Sequence, residues 1–545
     1  MAQIVLLNCG PKITGLATGA KKPMVGTTTA IRPTDLTNIF SPTNPVRPTN
    51  PVSATRPSIY RTIGAYKIAH VCRKNGYNVQ VIDHINYFTK EQIIKLLDKY
   101  VDNDTLILGL STTFTLEWPY HEIPPVLNEC LNEVKNKFLN LKLIYGGYGL
   151  ACANNPKNAA PWGIIKEYGE DTFLDLANFF AGKGVEPRYT LSFNRDGDPI
   201  RCYQSSRDRF DIVNDDFKWH PDDKIMPGEA LPIEMSRGCI FKCKFCNHLL
   251  LGRGKLDYLR NIELVREEML YNYENWGTTR YYVICDTFND TEIKMKAWHR
   301  MVTNLPFKIE YTCYIRADLL HRFPDVPHML KESGLVSCFH GIESFGPGAQ
   351  VVGKGWSHSS GRDYLPELYN NIWKKEVCQT LSMIAGLPGD TKETVMDWIK
   401  WFIVNDMYNM TLFTLHLHNP IASTAGTNLS EFDRNATKYG YTFPKRTSDQ
   451  WYHPDWGHKS DVWNFIEDEA MPVMNQYNSA TVSWQVLQLM QLGVPKWQFK
   501  KEYRAFFSDT SSGPPEPGLE APYHYDDVYN AIEQRLHKYY QLLMQ

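Results

Sequence analysis

The chain lacks any run of about eighteen apolar residues, so no transmembrane helix is expected. It also lacks a charge excess: 58 Lys and Arg stand against 60 Asp and Glu, a formal net charge of −2. That balance excludes a bulk electrostatic attraction to nucleic acid or to an anionic membrane, though not a local basic patch. The first residues, Met-Ala-Gln-Ile-Val-Leu-Leu-Asn, have no basic n-region and no full apolar h-region, and read as a strand rather than a signal peptide. No Ser/His/Asp arrangement suggests a nucleophilic triad. What the chain has is length and apolar content. Its 545 residues are 43% hydrophobic, enough for two or three domains with substantial cores. Aromatics reach 13%, which favours ligand pockets over a disordered scaffold.

Twelve cysteines occur, and only three show metal-ligand spacing. Cys239, Cys243 and Cys246 form C-x3-C-x2-C within Glu-Met-Ser-Arg-Gly-Cys-Ile-Phe-Lys-Cys-Lys-Phe-Cys. Three thiolates this close can hold three irons of a [4Fe–4S] cluster and leave the fourth iron open. They also suit zinc with a distant fourth ligand such as His248, or can be unrelated buried thiols. The other cysteines are scattered through apolar or strand-like contexts, which points to a reducing compartment and hence the cytoplasm. Leu231–Ser236 reads as a short strand ending at the cysteine loop. A helix follows from about Asn261, with Ile262, Leu264, Val265, Met269 and Leu270 on one face. Strand, loop and helix make the first unit of a parallel barrel, whose sites lie at the C-terminal ends of its strands.

The cysteine spacing, with Phe245 directly before the third cysteine, resembles the motif of the radical S-adenosylmethionine (radical SAM) enzymes. The resemblance implies that the open iron chelates the methionine end of SAM, and that electron transfer cleaves SAM to a 5′-deoxyadenosyl radical. Residues 231–425 then form a partial (β/α)6 radical SAM barrel. Its expected strand ends resemble the family's SAM contacts: Phe245 beside the cluster, Asp286 and Asn289 after the second strand, Arg316 after the third, and Glu343 and Ser344 in a G-x-E-S motif. An ammonium, a carboxylate and ribose hydroxyls need such partners. For Asp286 and Arg316 an ordinary cap or surface ion pair is an equal reading. No cysteine follows Cys378, so relatives with a cysteine-rich C-terminal extension are a poor match.

Residues 1–185 alternate strand and helix, as in a doubly wound parallel sheet of flavodoxin or Rossmann type. Their ordered loops resemble the cobalamin-binding domain that precedes the barrel in one class of radical SAM enzymes. The matching features are Lys74-Asn-Gly-Tyr77 before a strand ending in Ile82-Asp83, then Gly109-Leu-Ser-Thr-Thr113, Gly146-Gly147 and Gly169-Glu170. The resemblance implies that Ser111, Thr112, Gly146, Gly147, Gly169 and Glu170 wrap the cobalamin tail and corrin edge. A flavodoxin-like sheet whose glycines merely end strands is the plainer alternative. No D-x-H-x-x-G occurs, so no histidine is identified as a cobalt ligand. Residues 22–57, inserted after the first strand, hold seven prolines and eight threonines and favour extended or turn conformations. They can be a lid, or they can fill the crevice.

Residues 186–230 read as a connector with little regular structure. Residues 426–545 read as a helical C-terminal cap over the barrel mouth, with helices over Asp461–Glu469, Ser479–Leu492 and Asp526–Met544. Trp451, Tyr452, Trp456 and Trp463 are read as core, and His453 and His458 as structural rather than acid–base groups. The leading expectation is a radical SAM enzyme, specifically a cobalamin-dependent methyltransferase on an unactivated carbon. An oxidative ring closure or rearrangement is the rival within the family. A non-catalytic metal-bearing module for nucleic acid is the rival outside it. Arg237, Lys242, Lys244, Arg253 and Lys255 form the only suggestive basic patch, which equally suits an acidic electron donor of flavodoxin or ferredoxin type.

Overall fold

The computed structural model describes residues 2–9, 13–14, 55–56, 59–114, 122–147, 153, 157–193, 197–205, 210–246, 258–354, 360–374, 376–405, 407, 410–421, 429–444, 450–477, 490–491 and 525–545. Most of the Pro/Thr-rich stretch therefore lies outside the described residues. Its flanks meet, because Ile13–Thr14 pairs antiparallel with Thr55–Arg56.

The first domain is built on strands β1 (Ile4–Leu7), β2 (Val79–Ile82), β3 (Ile107–Ser111), β4 (Lys142–Gly146) and β5 (Gly163–Lys166). They are apolar on both faces, as strands covered by helices on two sides must be. Helices α1 (Ile63–Lys74), α2 (Lys90–Tyr100), α3 (Pro125–Lys137) and α4 (Glu170–Phe180) supply that cover. A capping box of Thr89 and Gln92 starts α2. The strand order is β2-β1-β3-β4-β5, all parallel, so the direction in which strands are added to the sheet reverses between β1 and β3. Open sheets of this order take ligands in the crevice beyond that switch point.

The stretch 186–230 is not the irregular connector its polar sequence suggests. β6 (Thr190–Phe193) and β7 (Pro199–Gln204) form an antiparallel hairpin, and β7 extends the first sheet parallel to β5. The pattern is hard to read because β6 is an edge strand with most of its residues exposed. Residues further along bind the domains together: Trp219 packs on Tyr66 of α1, Phe217 packs on Trp219, and both join the barrel core.

The second domain holds β8 (Leu231–Ile233), β9 (Arg280–Val283), β10 (Glu310–Ile315), β11 (Leu335–Glu343), β12 (Cys378–Ala385) and β13 (Met410–Thr414). All six are parallel and adjacent in sequence order, the arrangement of a partial barrel. β11 runs further than its sequence suggests, through a bulge between Gly341 and Glu343. In the C-terminal region Trp451 and Trp456 are buried and donate to the Leu415 and Leu387 carbonyls at 3.0 and 2.8 Å. These two are core, as expected, whereas Tyr452 is exposed and Trp463 half-buried. The expected helix over Ser479–Leu492 lies largely outside the described residues. The last helix, Tyr525–Met544, does not cap the barrel mouth. It lies on the first domain, where Tyr539 stacks on Phe88 and accepts from the Asp83 N–H at 3.1 Å. An apolar stripe demands a partner surface but does not name it.

Candidate active site

The cysteine loop leaves β8 at the C-terminal edge of the barrel. Cys239 is buried, its Sγ 3.4 Å from the Thr287 hydroxyl and 3.5 Å from the Phe241 N–H. Burial pushes its thiol up, against those two hydrogen bonds. Cys243 receives the Arg316 Nη1 at 3.7 Å, and the Cys246 N–H turns back to the Cys243 carbonyl at 3.0 Å. None of the three thiols is tied up in a disulfide. Among the described residues no three His, Cys, Asp or Glu side chains converge on one point as a single ion requires. His248 lies outside the described residues. Three thiols on one loop, with a backbone N–H on Cys239 and a guanidinium on Cys243, are the residue types a [4Fe–4S] cluster would need.

The strand ends divide into groups that line open space and groups turned into the structure. Asp286 is exposed and lines the large cavity described below. Asn289 is fully buried, and its amide clamps the backbone of Arg316 in both directions, at 2.9 and 2.8 Å. It therefore fixes the loop rather than offering itself to a ligand. Arg316 makes two bonds to Asp318, at 3.0 and 2.6 Å, and lies 4.0 Å over the Phe241 ring. Asp318 is a partner the sequence did not reveal. The Ser344 hydroxyl accepts from the Gly346 N–H at 2.9 Å and closes a turn. Phe245 is half-buried and packs against the core. Glu343 is buried with φ at +67°, a left-handed conformation costly for any residue but glycine. Burial pushes its carboxyl up, partly offset by Lys354 at 3.3 Å.

A cavity of about 590 Å³ opens between the two domains. Ser111, Gly146, Gly147, Gly169 and Glu170 line it from the first sheet, with Asp286, Ser236, Arg237 and Gly238 opposite. The crevice beyond the switch point thus reaches Ser236, Arg237 and Gly238, the residues that lead into the cysteine loop. Thr112 is not part of it: its buried hydroxyl donates to the Gly146 carbonyl at 2.9 Å and ties β3 to β4. Glu170 is held by Arg237 at 2.6 Å, so the first domain's loop and the cysteine loop are linked by an ion pair. Gly64 and Glu167 also line the cavity and carried no sequence signal. Glu167 has φ at +64°.

Glycine geometry tests whether the crevice suits a large ligand. A Cβ on Gly146 or Gly64 would meet nothing within 4 Å, so both present bare backbone to the cavity. Gly147 differs: its φ is +102°, and a Cβ there would come within 2.5 Å of the Thr113 Oγ1. Gly146→Val should therefore fill the cavity and lower affinity for added cobalamin at least about tenfold, with a thermal midpoint near that of the parent. Gly147→Ala should instead lose stability, by roughly 1 kcal/mol or more. Titration with hydroxocobalamin and a melting curve on each variant check both outcomes. Unchanged cobalamin binding in Gly146→Val would mean that the ligand does not reach this wall.

A largely buried charge network runs into the cavity wall, which Glu234 and Arg237 line. Lys67 of α1 contacts both Asp215 and Glu234. Arg237 grips Glu234 at 2.9 and 2.8 Å. Burial alone would push Glu234 up, but Arg237 and Lys67 override it and hold the carboxyl well below the usual range. Arg237 is thus spent on two carboxylates at the cavity wall and is not part of an exposed basic patch. Lys242 is exposed, Lys244 lies over Tyr439, and Arg253 and Lys255 fall outside the described residues. The ring of His453 contacts the Tyr439 carbonyl and the Asp455 N–H, while His458 starts a surface helix.

No family model matches the chain. Over 353 residues it is 24% identical to the uncharacterized methyltransferase PH0819 of Pyrococcus horikoshii, which covers 62% of this chain and 72% of that protein. Over 306 residues it is 23% identical to the anaerobic magnesium-protoporphyrin IX monomethyl ester cyclase of Cereibacter sphaeroides, covering 52% of this chain and 48% of that enzyme. Among solved structures, the radical SAM methyltransferase TsrM from Kitasatospora setae, with tryptophan and a SAM analog bound, superposes with a TM-score of 0.53 at 12% identity. That match covers 98% of this chain and 99% of TsrM. The cobalamin-dependent radical SAM enzyme OxsB, with aqua-cobalamin and SAM bound, gives 0.50 at 16% identity over 81% of this chain. The chain spans about half the length of the cyclase and of OxsB, 48% and 56%. A parallel sheet of switch-point order, a six-stranded partial barrel and one cavity between them give this chain the fold of the radical SAM enzymes that carry a cobalamin-binding-like domain ahead of the barrel.

Proposed function

We propose that this chain is a cobalamin-dependent radical SAM methyltransferase that acts on an unactivated carbon. The observation that carries the reading is the cavity, in which the switch-point crevice faces Ser236, Arg237 and Gly238 at the entrance of the cysteine loop. When bound, a [4Fe–4S] cluster on Cys239, Cys243 and Cys246 supplies the electron that cleaves SAM, and cobalamin in the crevice supplies methyl transfer. The protein's part is placement. Gly64 and Gly146 leave room for a close-packed ligand. Asp286 and Glu343 offer carboxylates to the ammonium and hydroxyls of SAM. Arg237 bridges Glu170 and Glu234, holding crevice and cysteine loop at a fixed separation, which the meeting of three reactants demands.

Thiols rather than disulfides suit a reducing cytoplasm, and reduction there would draw on a flavodoxin- or ferredoxin-type donor. The similarity to the anaerobic cyclase favours a second reading, an oxidative ring closure with the same barrel. Anaerobic reconstitution with iron and sulfide, with and without cobalamin, tests the proposal. Iron, sulfide, a cobalt(II) signal and SAM-derived 5′-deoxyadenosine are expected together. Cluster and SAM cleavage without cobalamin uptake would remove the methyltransferase reading and leave the barrel chemistry. Zinc in place of iron would remove both.

A further inference from the structure

We propose that Lys354 is a positioning residue that holds the Glu343 carboxylate at the barrel mouth for the ammonium or ribose end of SAM. The inference rests on the reading of Glu343 as a SAM contact, and adds a residue that no motif marks.

Lys354 is delivered by a helix end. The short helix Pro347–Val352 stops at Gly353, whose φ is +85°. The Gly353 N–H returns to the Gln350 carbonyl at 3.1 Å, and the Lys354 N–H to the Ala349 carbonyl at 2.9 Å. That pair of bonds is a Schellman cap, which fixes the direction in which the next side chain leaves. The ammonium then donates to the Gly341 carbonyl at 2.9 Å and lies 3.3 Å from the Glu343 Oε1. Lys354 and Glu343 are only 7% and 8% exposed. Gly341 makes the pairing possible, because a Cβ there would come within 2.8 Å of the Glu343 Oε1 and 3.3 Å of the Lys354 Nζ. The bulge, the left-handed Glu343, the missing side chain at 341 and the capped lysine all serve one carboxylate. Strain and a buried ion pair are costly in a strand that needs neither for packing, and such costs collect at ligand sites. The other charges that face Glu343 are Arg316, which adds to the attraction, and Asp318, which opposes it.

A buried carboxylate that loses its cation takes up a proton at higher pH, and the protonated form no longer attracts a cation. The test is equilibrium dialysis of SAM against the anaerobically reconstituted full chain, between about pH 6 and about pH 9. Parent, Lys354→Met, Lys354→Arg and Glu343→Gln are compared. Lys354→Met should bind SAM more weakly, with the loss growing toward acid by up to about tenfold per pH unit below a midpoint displaced upward. Lys354→Arg should restore most of the affinity and the parent profile. Lys354→Gln makes the same test should the methionine variant fail to fold, since it keeps a donor to Gly341 without the charge. Parent-like affinity and profile in the uncharged variant would overturn the proposal. So would equal losses in the uncharged variant and Lys354→Arg with no displaced midpoint, the mark of a packing role. Weak binding by Glu343→Gln beside parent-like Lys354 variants removes Lys354 alone. Unchanged binding by Glu343→Gln removes the reading of Glu343 itself.

Discussion

Alanine at Cys239, Cys243 or Cys246 should abolish reductive SAM cleavage, and each single change should do so completely. If each sulfur holds a different iron, loss of one leaves an iron without its protein ligand and the cluster unassembled. Among the described residues, the barrel's other strand thiols are poor substitutes. Cys285, Cys313 and Cys338 are fully or almost fully buried in the core that packs against the barrel's helices. Burial pushes the Cys313 and Cys338 thiols well up, which disfavours the thiolate a metal needs. Iron and sulfide per chain, together with the cluster's visible absorbance, should collapse in the three loop variants and persist in Cys285→Ala. Retention of full iron content in a loop variant would remove that cysteine from the ligand set.

The second large effect concerns stability rather than chemistry. Glu234→Ala leaves Lys67 and Arg237 buried beside each other without the carboxylate both share. Removing one member of a buried ion network typically costs about 3–5 kcal/mol. Urea unfolding should show a loss of that order. Lys95→Ala, which breaks only an exposed pair with Glu91 within α2, should be indistinguishable from the parent. The pH dependence follows from the direction of the shift. The folded Glu234 carboxyl lies well below its unfolded value, so its contribution is fully present above about pH 5. It is lost progressively as pH falls through the folded value. The parent should lose stability toward acid, and Glu234→Ala should lack that part of the decline. Parallel acid curves for the two proteins would show that Glu234 does not carry this stability.

Short-range features of this molecule are legible in its sequence, and long-range ones are not. Cys239, Cys243 and Cys246 lie within eight positions and announce themselves. Gly146-Gly147 and Gly169-Glu170 stand at strand ends that periodicity locates, and the fold brings them to one cavity with Asp286. Lys67 and Glu234 are 167 positions apart, and nothing local in either marks the contact. The motif resemblance gives both Asn289 and Arg316 to a ligand, yet Asn289 spends its amide on the Arg316 backbone, because a strand-end loop must be fixed before it can present anything. Thr112 and Ser344 are similar: a hydroxyl beside a glycine turn closes that turn as readily as it meets a ligand. The hairpin of β6 and β7 is hidden because an exposed edge strand has no apolar alternation to show. Lys354 is hidden because its role depends on a bulge and a helix cap together.

The apolar core runs without a break from Ile4 and Tyr66 in the first domain through Trp219 to Trp298 and Trp398 in the barrel. Two domains that share one core should melt as one cooperative unit. Any molecule bound in the cavity between them then stabilises the whole chain by mass action, in proportion to the logarithm of its concentration over its dissociation constant. Cofactor supply would in this way set how long the protein survives as well as how fast it works. A cell short of the ligand would hold less of the protein, not merely an idle form of it.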